Sequence, residues 1–169
     1  MGMFPFLSEV LKHPHLTSDL LLRVGIQFAQ HELYDDAAEV FQRCIHEHPE
    51  VFEAYYNLAL ADIAQQEWEA ELAILRQAPP QSKAEVLACS YLRGKVEESQ
   101  AKTSEAEHDL SDAFAGAPQN PTYAMDLGLF YVHERAYIQA ATVFERALSF
   151  NSGLPLLLLG LSISRFLAG

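Results

Sequence analysis

Histidine, cysteine and paired carboxylates are the side chains of this sequence that could do chemistry. There are seven histidines and two cysteines. His46 and His48 stand two apart in H-E-H-P, and a helix sends such neighbours in different directions. A helical zinc pair needs ligands one turn apart on the same face. His13 and His15 flank Pro14 in a loop-like stretch and read as solvated groups. Cys44 lies in an apolar helical pattern and reads as buried and inert rather than nucleophilic. The acid pairs Asp35-Asp36 and Glu97-Glu98 are adjacent in sequence and read as solvated turns. No G-x-S-x-G, glycine-rich phosphate loop or Cys-x-x-Cys occurs. The expectation is a non-enzyme with no cofactor and no metal. A hydrolase or metal enzyme on a helical scaffold would need a convergent polar site that these residues do not form.

Composition narrows the classes further. Half of the 169 residues are hydrophobic, enough for a sizeable core and too many for a disordered chain. Eleven Lys and Arg stand against 23 Asp and Glu, a formal charge of −12. Phosphate backbones and anionic membranes draw on cationic side chains, so nucleic acid and membrane surfaces are poor partners for this chain. Two cysteines make no disulfide framework, and a reducing, cytoplasmic compartment is expected. The N-terminus is a poor secretory signal, although its Met1-Gly2-Met3 start leaves open that a leader has been removed. The C-terminal LPLLLLGLSISRFLAG is broken by Arg165 and too short to span a bilayer, so no membrane insertion is expected.

The elements that position these side chains declare themselves by repetition. GIQFAQHELYDDAAEVFQRC begins at Gly25, and GLFYVHERAYIQAATVFERA begins 103 residues later at Gly128. That offset is three periods of 34 plus one. Phe28 pairs with Tyr131, Tyr34 with Tyr137, Ala37 with Ala140, Val40 with Val143 and Phe41 with Phe144. Two weaker copies fill the interval, placing Trp68 and Thr103 at the Tyr34 position and Gly94 at the glycine position. Units start near 18, 52, 87, 121 and 155. Apolar residues recur at helical spacing, and short polar turns divide each unit into a helical hairpin.

Local signals refine the boundaries. Ser18 is expected to cap the first helix, and Asn120 followed by Pro121 reads as a cap with proline at the first helical position. Ser104 and Glu107 read as a capping box. Pro79-Pro80 should end a helix early, and GKVEESQAKTSE reads as a polar, mobile link.

This pattern resembles the tetratricopeptide repeat family over roughly residues 18–169. The resemblance rests on small residues at Gly25, Ala37 and Cys44 around Phe28 and Phe41, and on Gly128, Ala140 and Ala147 around Tyr131 and Phe144. Paired helices approach closely where one presents almost no side chain, and an aromatic fills the space beside it. Glu71, where a small residue belongs, departs from the pattern. The resemblance implies an all-α, right-handed superhelical solenoid of antiparallel hairpins. Units would fall near 18–51, 52–86, 87–120 and 121–154, with a terminal helix at 155–168. Residues 1–17 would be an N-terminal segment or capping helix anchored by Phe4, Phe6 and Leu7.

The family's ligands lie along the first helices of the hairpins, and this implies a peptide-binding groove. In the first unit it would use Leu22, Arg23, Ile26 and Gln30. In the second it would use Tyr56, Asn57 and Leu60. Tyr91 and Lys95 follow in the third, then Met125, Asp126, Leu129 and His133 in the fourth. Such a set suits an amphipathic helix or an extended apolar peptide. The family's carboxylate clamp is not expected, because Leu22, Ala88 and Leu92 stand where its cations would be.

The implied function is a non-catalytic interaction module or scaffold with a protein or peptide partner. An alternative is similarity to acidic repeat-built chaperones that keep hydrophobic secreted proteins soluble, although those usually carry three units. The last helix is apolar on nearly every face and expects cover. Continuation into a longer array, a homodimer through this helix, or a bound partner would each supply it. Leu157, Leu161 and Phe166 are the residues read as self-associating.

Overall fold

The computed structural model describes residues 12–65, 74–75 and 77–169. The chain divides into two compact units, Met1–Gln81 and Ser82–Gly169. The first contains α1 (Ser18–Gln30), α2 (Tyr34–Glu47) and α3 (Phe52–Gln65). The second contains α4 (Lys83–Ser99), α5 (Thr103–Gly116), α6 (Pro121–His133), α7 (Tyr137–Phe150) and α8 (Pro155–Ala168). Among the described residues there is no strand, and the fold class is all-α, built from antiparallel helical hairpins. Phe4, Phe6, Leu7, Trp68 and Glu71 lie outside the described residues.

The period is written into the backbone as well as the side chains. The turn inside each complete hairpin bends through one left-handed residue: Glu32 (φ 61°), Ala101 (φ 56°) and Arg135 (φ 59°). In each, an amide reaches back five residues: Leu33 to the Phe28 carbonyl, Lys102 to Glu97 and Ala136 to Tyr131. These bonds satisfy carbonyls that a helix end would otherwise orphan. The turns between hairpins repeat too, with His48, Ala117 and Asn151 donating to the carbonyls of Cys44, Ala113 and Ala147.

Three boundary expectations change. Thr17, not Ser18, caps α1, its hydroxyl accepting from the Leu20 amide at 3.3 Å. Ser104 caps nothing: the turn at Ala101 already delivers a helical chain at Thr103, so Ser104 falls inside α5. The capping box lies instead at Ser82 and Glu85, with reciprocal bonds of 3.2 and 3.1 Å. That box adds a turn to the front of α4, which begins at Lys83, ahead of the register start near 87. GKVEESQAKTSE is not a loose link, because all but Gln100–Lys102 of it is helical. Asn120 caps α6 as expected, accepting from the Thr122 amide at 3.0 Å, with Pro121 behind it.

Phe41 and Phe144 occupy matching sites, both fully buried. A Cβ placed on Gly25 would lie 2.4 Å from the Phe41 ring, and one on Gly128 would lie 2.3 Å from the Phe144 ring. Only glycine permits such contact. Phe144 also meets Gly160 of α8, where a Cβ would lie 2.6 Å away. The ring is therefore held between glycines of two helices.

One polar cluster crosses the α4–α5 hairpin. Asp109 is 5% exposed, and Arg93 grips both its carboxylate oxygens, with Nη2–Oδ1 at 2.8 Å. Glu97, expected on a solvated turn, lies beside this pair. Its Oε2 is buried with no hydrogen-bond partner among the described residues. Burial, and secondarily the charge of Asp109, raise its carboxyl above the ordinary range. A carboxyl raised by folding contributes stability below its unfolded pKa and loses it as pH rises through the folded value. Glu97→Gln should therefore raise the denaturation midpoint at pH 7, and the gain should vanish near pH 4; equal gains at both pH values would contradict the assignment.

Candidate functional site

The first helices of the hairpins carry every residue singled out for a groove, and the two units place them differently. In the first unit Leu22 and Ile26 are half-buried and pack against the core formed around Leu21, Val24, Phe28 and Phe41. The polar candidates are engaged locally. Arg23 pairs with Asp19 on the same exposed helix face at 3.1 Å. Gln30 accepts from Gln27 at 2.9 Å, and Asn57 donates to its own helix at the Glu53 carbonyl at 2.7 Å. Tyr56 is half-buried, its ring 6.3 Å from Phe52, and Leu60 is exposed.

In the second unit the candidates converge on α6. Tyr91, on α4, is buried with its ring stacked on Tyr123 at 4.8 Å. Its hydroxyl donates to Asp126 Oδ2 at 2.5 Å. A hydrogen bond to a carboxylate is among the stronger ones, so Tyr91 holds α4 to α6 and orients Asp126. Lys95 is spent on Glu98 at 2.9 Å. Along the open side of α6 run Met125, Leu129 and His133, with Leu129 half exposed.

Each end of that line opens into a cleft. One, of about 390 Å³, is lined by Pro121, Thr122, Met125, Asp126 and the α8 start Leu154–Leu157. The other, of about 480 Å³, is lined by Glu98, Leu129, Val132, His133, Arg135 and Tyr137. Thr122 and Leu156 are residues that the sequence reading did not select. Leu156 holds the second position of the unit that starts near 155, as Thr122 does in the unit that starts near 121.

The last helix differs from expectation at one residue. Leu157, read as part of a self-association surface, is 1% exposed, because it points into the core shared with α6 and α7. Leu161 is half-buried and Phe166 is 85% exposed. The free apolar face of α8 is carried by Leu156, Leu158, Leu159, Ile163, Phe166 and Leu167.

Among the described residues the chemistry-bearing side chains are dispersed. Among the described residues no three His, Cys, Asp or Glu side chains gather where a metal ion could be held. His48 is half-buried rather than solvated, with Nε2 2.9 Å from the Leu16 carbonyl. Burial pushes the Cys44 thiol up to about 11, with Glu47 and Glu50 adding to the effect. Burial also raises Cys89. Neither thiol has the thiolate character of a nucleophile at neutral pH. Among the described residues no helix is long and apolar enough to cross a membrane.

Comparison with known proteins agrees with this architecture. The tetratricopeptide repeat profile matches residues 25–85 and 91–155. No curated protein matches the sequence significantly. Among solved structures, MamA (residues 41 to the end) from Desulfovibrio magneticus RS-1 is 20% identical with a TM-score of 0.69, over 89% of this chain and 85% of that one. A thermophilic TPR protein from Thermus thermophilus is 20% identical with a TM-score of 0.71, over 90% and 84%. PilF of Pseudomonas aeruginosa is 20% identical with a TM-score of 0.72, over 88% and 68%. At such identities the likeness speaks for the fold alone. The family profile spans well over half of the chain, and the protein belongs to the tetratricopeptide repeat family.

Proposed function

We propose that the chain is a non-catalytic protein-interaction scaffold whose second unit takes an apolar peptide or partner helix along α6. The supporting observation is the line Met125, Leu129 and His133, left open between two clefts while Tyr91 holds Asp126 at its side. An apolar floor with a few oriented polar groups is what a helix or extended peptide recognises. The first unit's own candidates divide differently: Leu22, Ile26, Tyr56 and Leu60 are apolar, whereas Arg23, Gln30 and Asn57 would first have to leave local partners. A chaperone for hydrophobic secreted proteins would use the same face, and it would prefer extended apolar segments over folded amphipathic helices.

Peptides selected by display against the whole chain, helical and extended, provide the test. Titration by fluorescence anisotropy should show Leu129→Glu weakening the best binder by about tenfold or more, or roughly 1.4 kcal/mol. Ile138→Glu, on exposed α7 surface outside both clefts, should leave it unchanged. Undiminished affinity in Leu129→Glu would remove α6 as the docking face.

A further inference from the structure

We propose that two copies of this chain pair through α8, antiparallel about a two-fold axis, with Phe166 of each copy seated in the other's cleft beside Leu156. Phe166 is the most exposed large apolar side chain described, at 85%. The cleft of about 390 Å³ is almost wholly apolar, its lining drawn from Pro121, Met125 and Leu154–Leu157 with only Thr122 and Asp126 polar. Knob and pocket stand at opposite ends of one helix, ten residues or about 15 Å apart. They cannot meet within a chain. A two-fold axis between Leu159 and Ile163 brings them together twice, because an isologous contact pairs residue i with j and j with i.

The spacing of the exposed face supports that pairing. Leu156, Leu159, Ile163 and Phe166 follow one another at intervals of three, four and three, the pattern of a two-helix seam. In an antiparallel pair Leu159 faces Ile163 of the second copy and Leu156 faces Phe166. No like charges oppose this: α8 holds no acidic residue, and its single cation, Arg165, is engaged with Glu145 at 2.8 Å. The area is sufficient as well. Five large apolar side chains on this side, Leu156, Leu159, Ile163, Phe166 and Leu167, exposed between 43% and 85%, present on the order of 500 Å² per copy. Doubled across the axis, this reaches the roughly 1,000 Å² that a specific interface must clear. Burying Phe166 in a desolvated pocket at the end of that seam makes it the anchor.

Sedimentation equilibrium of the whole chain, from low micromolar to near-millimolar concentration, should show a monomer–dimer equilibrium. Phe166→Ala should weaken it by roughly thirtyfold, as loss of an anchor does, while Phe166→Trp preserves it. Both should leave helical circular dichroism intact, since the side chain is exposed in the single chain. The register has its own readout in oxidised cysteine variants on non-reducing gels, each compared with the unsubstituted chain, whose Cys44 is buried and whose Cys89 is half-buried. Leu159→Cys mixed with Ile163→Cys should form the mixed disulfide that the pairing demands, and Leu156→Cys, at the end of the seam and about 15 Å from its own counterpart, should not cross-link to itself. A monomer at every concentration, or a dimer indifferent to Phe166→Ala, overturns the pairing. Self-cross-linking of Leu156→Cys overturns its antiparallel sense. Phe166 of the second copy and a peptide on α6 would meet at Met125, so Phe166→Ala should abolish pairing while keeping or raising peptide affinity, and Leu129→Glu should weaken the peptide alone; these opposite outcomes separate the two readings.

Discussion

Phe144→Ala should cost the second unit about 4 kcal/mol, near the middle of the range for removing a buried phenylalanine. The reason lies in what surrounds the ring. Phe144 is fully buried, and Gly128 of α6 and Gly160 of α8 touch it from two sides. Glycines have no side chains that could relax into the space, so the cavity would remain and its lining would lose contacts outright. With a domain stability of about 5–15 kcal/mol as the usual scale, this is a large fraction of the whole. Urea denaturation followed by circular dichroism measures it, and Gly128→Ala in the Phe144→Ala background should recover part of the loss. A cost below about 1 kcal/mol would mean that the helices close over the gap and that the glycine–aromatic wedge does not hold α6, α7 and α8 together.

Arg93→Leu should cost about 2 kcal/mol by a different route, the loss of the partner of a buried carboxylate. Arg93 is half exposed, but its partner Asp109 is almost wholly buried and receives two hydrogen bonds from the guanidinium. Removing the cation strands a buried carboxylate with Glu97 nearby, and an unpaired buried charge is far more costly than a pair replaced as a whole. The double substitution Arg93→Leu/Asp109→Leu should therefore be more stable than Arg93→Leu alone. A double-mutant cycle in urea gives the coupling directly. Additive losses would show that the pair contributes through packing only.

The fold was legible in the sequence because it is carried by short-range rules repeated along the chain. Gly25 and Gly128, each opposite a phenylalanine sixteen residues on, recorded a close helix–helix contact that no other residue type allows. Tyr34, Thr103 and Tyr137 each open the second helix of a hairpin, although Thr103 keeps none of the aromatic character. There the backbone turn, not the side chain, sets the register. Caps were less legible. Several Ser, Thr and Asn residues near a boundary can each accept an amide, and which one does so depends on where the preceding turn releases the chain. That is why Thr17 replaced Ser18, and Ser82 rather than Ser104 headed a capping box.

The groove residues were identified by their positions within a repeat, and such positions say which face a residue occupies but not what already holds it. Arg23, Gln30, Asn57 and Lys95 are all engaged within their own helices, and Tyr91 is spent on Asp126. Leu157 shows the same limit on the last helix. An apolar run reads alike on every face, and only the neighbours α6 and α7 decide that Leu157 goes inward while Leu156 and Phe166 stay outside.

Sequence alone determined the helical hairpin, its period and the small–aromatic pairs that seal it, since these follow from residue type and spacing. Tertiary structure decided which apolar side chains are open, which polar ones are already paired, and where α6 and α8 leave a cleft. Those outcomes depend on contacts between residues distant in the chain, and no local pattern encodes the distance between them.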